Sequence, residues 1–460
     1  MISLPKAFCE RMQRLLDDEY DRFIQSYEQP LRRGLRVNTQ KIAADHFRSV
    51  FPHTLIPSPF AEDAFYLDAP HKAGADPLHH AGAYYMQEPS ASSAVTVLAP
   101  KPQEYILDLC AAPGGKSTQI AAALGNTGLL WCNEYVRTRA HILLQNLERM
   151  GVRNAVVTNS DTTPLCDELE GMFDAVLADV PCSGEGMFRK EDMALTQWSE
   201  ALVAECAARG ATILDNAAKA VRDGGRLVYS TCTFAPEENE LQIAHFLQKH
   251  PEFELMPIEV SFGRAAFNAQ TAALFDPSID RTLPLSYCRR IFPADGGEGH
   301  FIALLKKKGD PAPRHTPAPP HPKKPDAALQ QAQALLEDCF KQKPCGTLAR
   351  YGDTVRLLPN GLPTVSVPVL AAGVAIGIVA KNRLEPHHAL FASAAPSACR
   401  RCVSLSIDDP RTAKFVHGEE ISVDIDNGFA VVAIEGAAVG FGKVSNHTLK
   451  NRYPKGLRTL

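Results

Sequence analysis

The sequence predicts an α/β protein built on a doubly wound parallel sheet, with a small α+β appendage ahead of it and a β-rich module behind. Three observations lead there. Short apolar runs ending in polar residues alternate with helical patterns across the middle of the chain, as in a parallel sheet covered by helices on both faces. A proline-dense stretch from Pro311 to Pro325 follows that alternation. Beyond it, Val423, Ile425, Phe429, Val431 and Val432 surround Asn427-Gly428, which reads as a β-hairpin.

In chain order, residues 1–90 form the appendage. Ala7 to Tyr27 carries a helical pattern and Leu35 to Asn38 reads as a strand. Residues 91–308 hold the sheet, with strands expected at Tyr105–Leu109, Leu129–Asn133, Ala155–Thr158, Phe173–Ala178 and Arg226–Ser230. Helices are expected at Lys116–Leu124, Arg139–Met150 and Leu202–Val221. Residues 309–326 form an extended, semi-rigid linker, because such a proline density suits neither helix nor central strand. A small intermediate domain is expected at 327–392 and the β-rich module at 393–460.

The composition agrees with a folded chain of several domains. At roughly 150 residues per domain, 460 residues give about three. With 45% apolar and 22% charged residues, disordered and collagen-like chains are excluded. The net charge of −4 means that any nucleic-acid binding comes from local basic patches. Leu362 to Ala380 carries no charge, but Pro363, Pro368, Gly373 and Gly377 make it strands broken by turns rather than a membrane span. Met1 to Lys6 offers no apolar signal segment. The 12 cysteines are scattered, so a reducing cytoplasm is the expected setting. Cys399-Arg400-Arg401-Cys402 lacks the second pair a zinc site needs, and no metal is expected.

In a doubly wound sheet, ligands bind beyond the carboxyl ends of the strands. The first strand runs into Asp108-Leu109-Cys110-Ala111-Ala112-Pro113-Gly114-Gly115-Lys116-Ser117-Thr118. Small residues let backbone approach a ligand closely, and Lys116 opens a helix whose N–H groups favour an anion. Gly115-Lys116-Ser117 matches the end of a phosphate-binding loop, but Cys110 replaces its first glycine and Pro113 removes a donor. The alternative is S-adenosylmethionine. Glu134, after the second strand, suits its ribose hydroxyls; Asp161, after the third, suits its adenine amino group; Asp179, after the fourth, faces the same crevice.

Asp179-Val180-Pro181-Cys182-Ser183-Gly184 follows the fourth strand and Ser230-Thr231-Cys232-Thr233 the fifth. A buried cysteine is usually inert, but two at neighbouring strand ends beside a methyl donor suggest covalent catalysis. Carbon 5 of a pyrimidine is a weak nucleophile. A thiolate adding at carbon 6 makes an enamine whose carbon 5 attacks the methyl group, and loss of the carbon-5 proton then expels the thiol. A free thiol with a pKa of about 8.5 needs positive charge nearby, which Lys116 and the sulfonium would supply. Asp179 is placed to stabilise the adduct at N3.

The motifs Cys110–Lys116, Asp179–Gly184 and Ser230–Thr233, the last followed by Pro236-Glu237-Glu238-Asn239-Glu240, resemble the NOL1/NOP2/Sun family of RNA cytosine-C5 methyltransferases. Family motifs run from Arg36-Val37-Asn38, through Tyr84-Tyr85-Met86-Gln87-Glu88-Pro89-Ser90, to Gly299-His300-Phe301-Ile302-Ala303. The resemblance implies a Rossmann-like methyltransferase sheet and cofactor contacts from Cys110, Ala111, Ala112, Pro113, Gly114, Gly115, Lys116, Glu134, Asp161 and Asp179. It implies Cys232 as nucleophile and Cys182 as the residue assisting release, with Asp179 and Lys116 completing the catalytic set. DNA cytosine-C5 methyltransferases place the nucleophile on the Pro-Cys motif instead, but their other motifs are not found here.

After Glu435 the chain has no acidic residue, while Lys443, Lys450, Arg452, Lys455 and Arg458 are basic. With Tyr453 and His447 they suggest phosphate contact plus stacking; Arg32, Arg33 and Arg36 are expected to extend this RNA-binding surface at the other end, with a structural role the alternative for Arg36. The segments Lys381–Leu390 and Gly440–Arg458 are similar to the PUA-like part of bacterial RsmF-type enzymes. That similarity implies 16S ribosomal RNA or the small subunit as partner. Transfer RNA is the alternative substrate, and a non-catalytic ribosome-assembly factor the alternative class. A monomer is expected.

Overall fold

The computed structural model describes residues 3–313, 326–381 and 383–459. The expected helix Ala7–Tyr27 is two helices, Lys6–Leu16 and Tyr20–Ser26, separated by a 3-10 turn at Asp17–Glu19. The break falls at Asp17, where φ is 45°, a conformation that Asp tolerates better than most residues. The three acids Asp17, Asp18 and Glu19 stay in solvent. Phe8, Met12, Leu15 and Leu16 form the buried stripe of the first helix. An antiparallel sheet follows from β1 (Arg33–Val37), β2 (Leu55–Pro57), β3 (Ala64–Leu67) and β4 (Tyr84–Met86), in the order β2-β3-β1-β4.

The main sheet contains β5 (Tyr105–Asp108), β6 (Leu129–Asn133), β7 (Ala155–Thr158), β8 (Phe173–Asp179) and β9 (Val221–Thr231), all parallel to their neighbours. It continues with β10 (Phe253–Met256), β11 (Arg264–Ala265), β12 (Arg289–Ile291) and β13 (His300–Lys307), which add antiparallel beyond β9. The chain runs from β5 outward through β6 and β7, then returns to lay β8 and β9 on the other side of β5. The reversal opens a crevice at the carboxyl ends of β5 and β8. Side chains alternate across the sheet: Leu107, Trp131, Val176 and Leu227 enter the core on one face, and Ile106, Leu130, Leu177 and Val228 the core on the other. Burial on both faces is why these strands read as unbroken apolar runs.

Helix Ala327–Cys339 begins the next region, with β14 (Thr347–Tyr351), β15 (Thr354–Leu358), β16 (Val369–Ala372), β17 (Val374–Ala380) and β18 (Arg383–Pro386). Four of these strands form a sheet of order β14-β15-β17-β18, whereas β16 pairs with β7 at the edge of the main sheet. Of the proline-rich stretch, residues 314–325 lie outside the described residues. The last sheet has β19 (Cys402–Leu405), β20 (Ile421–Ser422), β21 (Gly428–Ile434), β22 (Ala437–Ser445) and β23 (Thr448–Asn451), in the order β19-β21-β22-β23-β20. Its hairpin turns at Glu435-Gly436, not at Asn427-Gly428. Both turn residues have positive φ, 49° and 80°, and close the Ile434–Ala437 pair, a geometry that matches strand twist. Asn427-Gly428 instead leads into β21, because residues 423–427 form no strand to pair back.

The parts meet around Lys41. Its ammonium donates to the carbonyl oxygens of Ala81, Arg149 and Ala438 at 2.7–2.9 Å, one from each of the N-terminal, central and C-terminal regions. Among the described residues, no helix is long and apolar enough to cross a membrane.

Candidate active site

The glycine at 114 has φ 111° and precedes helix Gly115–Leu124, which turns Lys116 into the crevice. Lys116 Nζ donates to Asp179 Oδ2 at 2.7 Å, and Ser230 Oγ donates to Asp179 Oδ1 at 2.7 Å. Burial would raise the Asp179 carboxyl, but Lys116, His300 and the two donors outweigh it and hold it below its usual value. Burial likewise opposes the Lys116 charge, and Asp179 overcomes it. The pair is ionised.

Arg36 does not extend an RNA surface. It is wholly buried and donates to the Gly115 carbonyl at 3.1 Å and to Thr118 Oγ1 at 2.7 Å. Its register on β1, between β3 and β4, aims it behind the loop at 110–116, where it braces the first turn of that helix.

Asp179 and Ser230 are partners across the parallel β8–β9 ladder, so the loops leaving these strands run side by side. The sulfur atoms of Cys182 and Cys232 lie 3.2 Å apart as free thiols, and the Cys232 N–H donates to Cys182 Sγ at 3.3 Å. The hydrogen bond with Cys232, then burial, push the Cys182 thiol well up. Cys182 therefore stays protonated.

Buried carboxylates fasten the two loops together. Glu238 accepts from Ser183 N at 2.9 Å and from the Ser183 hydroxyl. Glu185 accepts from Phe234 N at 3.0 Å, Trp198 Nε1 at 2.8 Å and Arg11 at 2.5 Å. Asn239 accepts from Thr231 Oγ1 at 2.6 Å and donates to the Thr233 carbonyl at 2.9 Å. Glu240 forms a wholly buried pair with Arg290, which also donates to the Phe234 carbonyl at 3.0 Å.

Two adjoining spaces share Cys110, Ala112, Asp179 and Cys232. One, of about 770 Å³, is lined by Leu109, Glu134, Asp161 and Cys182. The other, of about 480 Å³, is lined by Ala111, Pro113, Gly115, Lys116 and His300. Glu134 is buried beside Arg139, with Oε1 accepting from Val136 N at 2.8 Å. Asp161 is exposed and caps helix Thr162–Glu168. The first space offers acceptors at the ends of β6 and β7 and a small-residue floor at the end of β5. These features fit a nucleoside bearing a diol and an amino group, as S-adenosylmethionine does.

Sequence reasoning met Asp108, His300 and the carboxylates that fasten the loops only as members of motifs, and Arg139 only as a helix start, and gave none of them a role. Asp108 is buried in the crevice wall, where burial, despite a hydrogen bond from Ser117, pushes it up to about 7. Its place as the last residue of β5 was the available signal. Arg139, in the first turn of the helix after β6, donates to the Ala112 carbonyl at 2.9 Å and rims both spaces.

None of the C-terminal basic residues lines either space. Lys443 and Lys450 face each other across the β22–β23 ladder, both exposed, with the Lys443 ammonium 5.6 Å from the Phe429 ring centre. Arg452 and Lys455 are exposed, while Arg458 folds back onto the Tyr453 carbonyl at 3.0 Å. Tyr453 offers no stacking face: it is buried and its hydroxyl meets His80 Nδ1 at 2.9 Å. His447 is exposed beside Asp424.

The family described as 16S rRNA methyltransferase RsmB/F matches residues 95–306. The N-terminal domain of 16S rRNA methyltransferase RsmF matches residues 4–89, and the methyltransferase RsmF PUA domain residues 402–459. The ribosomal RNA small subunit methyltransferase F of Vibrio vulnificus strain YJ016 is 33% identical over 99% of this chain and 98% of its own. That of Erwinia tasmaniensis is 32% identical over 99% and 97%. The crystal structure of a methyltransferase homolog protein from Pyrococcus horikoshii is 28% identical, with a TM-score of 0.59 over 66% of this chain and 96% of that one. With identity of this order running the full length of both chains, and a methyltransferase sheet that ends in the crevice described above, the chain belongs to the RsmB/F family of 16S rRNA methyltransferases.

Proposed function

We propose that this chain methylates carbon 5 of cytosine in 16S ribosomal RNA, from S-adenosylmethionine, through a covalent bond between Cys232 and carbon 6 of the base. The observation that carries the reading is the pair of thiols 3.2 Å apart beside the Lys116–Asp179 ion pair. S-Adenosylmethionine, when bound, supplies an electrophilic methyl group; Glu134, Asp161 and the loop from Cys110 to Lys116 would hold it. Cys232 adds to carbon 6 and leaves carbon 5 nucleophilic. As the sulfur adds, the Cys232 thiol proton passes to N3, and the ionised Asp179 faces the ring and accepts a hydrogen bond from the N3–H so formed. Once carbon 5 has been methylated and has lost its proton, the Cys232–C6 bond breaks. Cys182, held protonated, hands its proton to the departing sulfur and is reprotonated by the proton leaving N3, while the carbon-5 proton passes to water. The target base must leave its stack to reach these groups. Lys443, Lys450, Arg452 and Lys455 supply phosphate contacts, and the chain acts as a monomer in the cytoplasm.

The test is incubation with methyl-labelled S-adenosylmethionine and, separately, small ribosomal subunits, naked 16S RNA and transfer RNA, followed by nucleoside analysis. 5-Methylcytidine in 16S RNA or in the subunit is expected. Label in transfer RNA alone would move the substrate assignment and keep the chemistry. Cofactor binding with no transfer to any of the three would favour a non-catalytic assembly factor.

A further inference from the structure

His300 opens β13 and is only 4% exposed, yet it lines the crevice that holds Lys116, Asp179 and Cys232. Register brings it there. Phe301 pairs with Thr231 across the antiparallel β9–β13 ladder, so the residue before Phe301 stands beside the residue after Thr231, which is Cys232. Gly299 permits the approach: its φ is 146°, and a Cβ there would meet the Phe234 ring at 2.6 Å and Gly186 Cα at 2.9 Å.

The imidazole has a defined orientation. Nδ1 lies 3.0 Å from the Gly299 carbonyl oxygen. A carbonyl only accepts, so Nδ1 carries the proton and Nε2 keeps a lone pair. Nε2 has no hydrogen-bond partner among the described residues and stands 3.9 Å from Asp179 Oδ1. Burial, reinforced by the Lys116 charge, brings the ring down to about 4, so it is neutral at physiological pH. A buried acceptor without a donor is unfavourable unless a ligand satisfies it, and the chemistry proposed above gives this nitrogen no task.

On the pyrimidine edge, cytosine presents an amino donor where uracil presents a carbonyl acceptor. We infer that His300 Nε2 accepts a hydrogen bond from the 4-amino group of the target cytosine and thereby sets the preference for cytosine over uracil. The inference rests on the cytosine reading proposed above. Uracil would oppose its carbonyl lone pair to that of the buried Nε2, the kind of mismatch that a built hydrogen-bonding site rejects strongly. Asp179 remains free to face N3.

The experiment uses the full-length chain and 16S transcripts carrying cytidine or uridine at the position that the wild-type protein methylates. It compares wild type with His300→Phe, which removes the acceptor, and His300→Gln, which restores one through its amide oxygen. Methyl incorporation into each base gives the cytidine-to-uridine ratio of kcat/KM; S-adenosylmethionine binding and thermal midpoint report the fold. The expected result is a ratio at least tenfold lower in His300→Phe and recovered in His300→Gln, with cofactor binding kept. An unchanged ratio in His300→Phe overturns the inference. If His300→Phe is inactive on both bases, His300→Gln decides: recovered cytidine turnover supports the inference, and continued inactivity overturns it. A wild-type chain that makes no 5-methylcytidine either in the transcripts or in small subunits defeats the functional reading itself, a separate outcome.

Discussion

Replacing Glu238 by glutamine should make the methyltransferase domain more stable in alkali, relative to wild type, than in acid. Glu238 is 1% exposed and accepts two hydrogen bonds from Ser183. Burial outweighs those donors and pushes its carboxyl from an ordinary value of 4.5 up to about 7. Between pH 4.5 and 7 the folded chain therefore holds a proton that the unfolded chain has released. Stability from this group is complete below 4.5, declines as pH rises through that window and is gone above 7. A displacement of this size corresponds to about 3 kcal/mol. Glutamine does not titrate, while its amide keeps an acceptor for Ser183 N and a donor for the hydroxyl. The stability difference between the two proteins should shift by about 2.5 kcal/mol in favour of Glu238→Gln between pH 5 and pH 8. Asp108 and Glu298, also pushed up to about 7, are common to both proteins and cancel. Urea unfolding followed by tryptophan fluorescence reads the right region, since Trp131 and Trp198 are the chain's two tryptophans and both lie between β5 and β9 in sequence. A separation that stays constant from pH 5 to pH 8 refutes the reasoning.

The remaining predictions concern the thiols and the basic residues. Cys232→Ala should reduce transfer to background, whereas Cys182→Ala should accumulate an RNA–protein adduct on denaturing gels; an adduct present only in Cys232→Ala would reverse the two roles. Arg36→Gln should destabilise the chain by about 3–5 kcal/mol, because it breaks a buried charged site. It should leave the salt dependence of RNA binding unchanged, and a reduced slope would return Arg36 to the RNA surface. Lys443→Ala with Lys450→Ala should lower the slope of log K against log salt by about 1 per lysine, with stability changed by no more than about 0.5 kcal/mol.

What was legible in the sequence is what is encoded locally or by strand order. The five parallel strands were readable because burial on both faces makes each an unbroken apolar run between helical patterns. The meeting of Cys182 and Cys232 followed from β8 and β9 being neighbours, which the alternation of strands and helices implies. The rest depends on partners far along the chain. Arg36 read as a surface arginine beside Arg32 and Arg33 or as a structural one, and only the pairing of β1 between β3 and β4 shows it buried under the loop at 110–116. Tyr453 looked like an aromatic in a basic tail until His80, 373 residues away, became its partner. The hairpin turn was misplaced because Asn427-Gly428 satisfies the local turn rule and Glu435-Gly436 does not, while strand pairing selects the latter.

In the proposed mechanism, the N-terminal region serves the active site as much as any RNA surface. A nucleophile that must meet carbon 6 of an unstacked base has to be held to a fraction of an ångström, and turns leaving strand ends are not rigid by themselves. Here the rigidity comes from side chains set around the thiols. Glu238 and Glu185 tie the Cys182 loop to the Cys232 loop, while Asn239 and the Arg290–Glu240 pair hold the latter from behind. Phe234, two residues past Cys232, stacks on Phe292 at 5.3 Å and packs edge-on to Phe23 at 5.4 Å. Phe23 and Arg11 come from the first two helices of the chain, and the Arg11–Glu185 bond spans 174 residues. Those helices close the wall behind Cys232. Removing them would take the Arg11 counter-ion from Glu185 and leave its carboxylate held only by Phe234 N and Trp198 Nε1, so loss of the N-terminal segment should weaken catalysis even on a short RNA that never touches it.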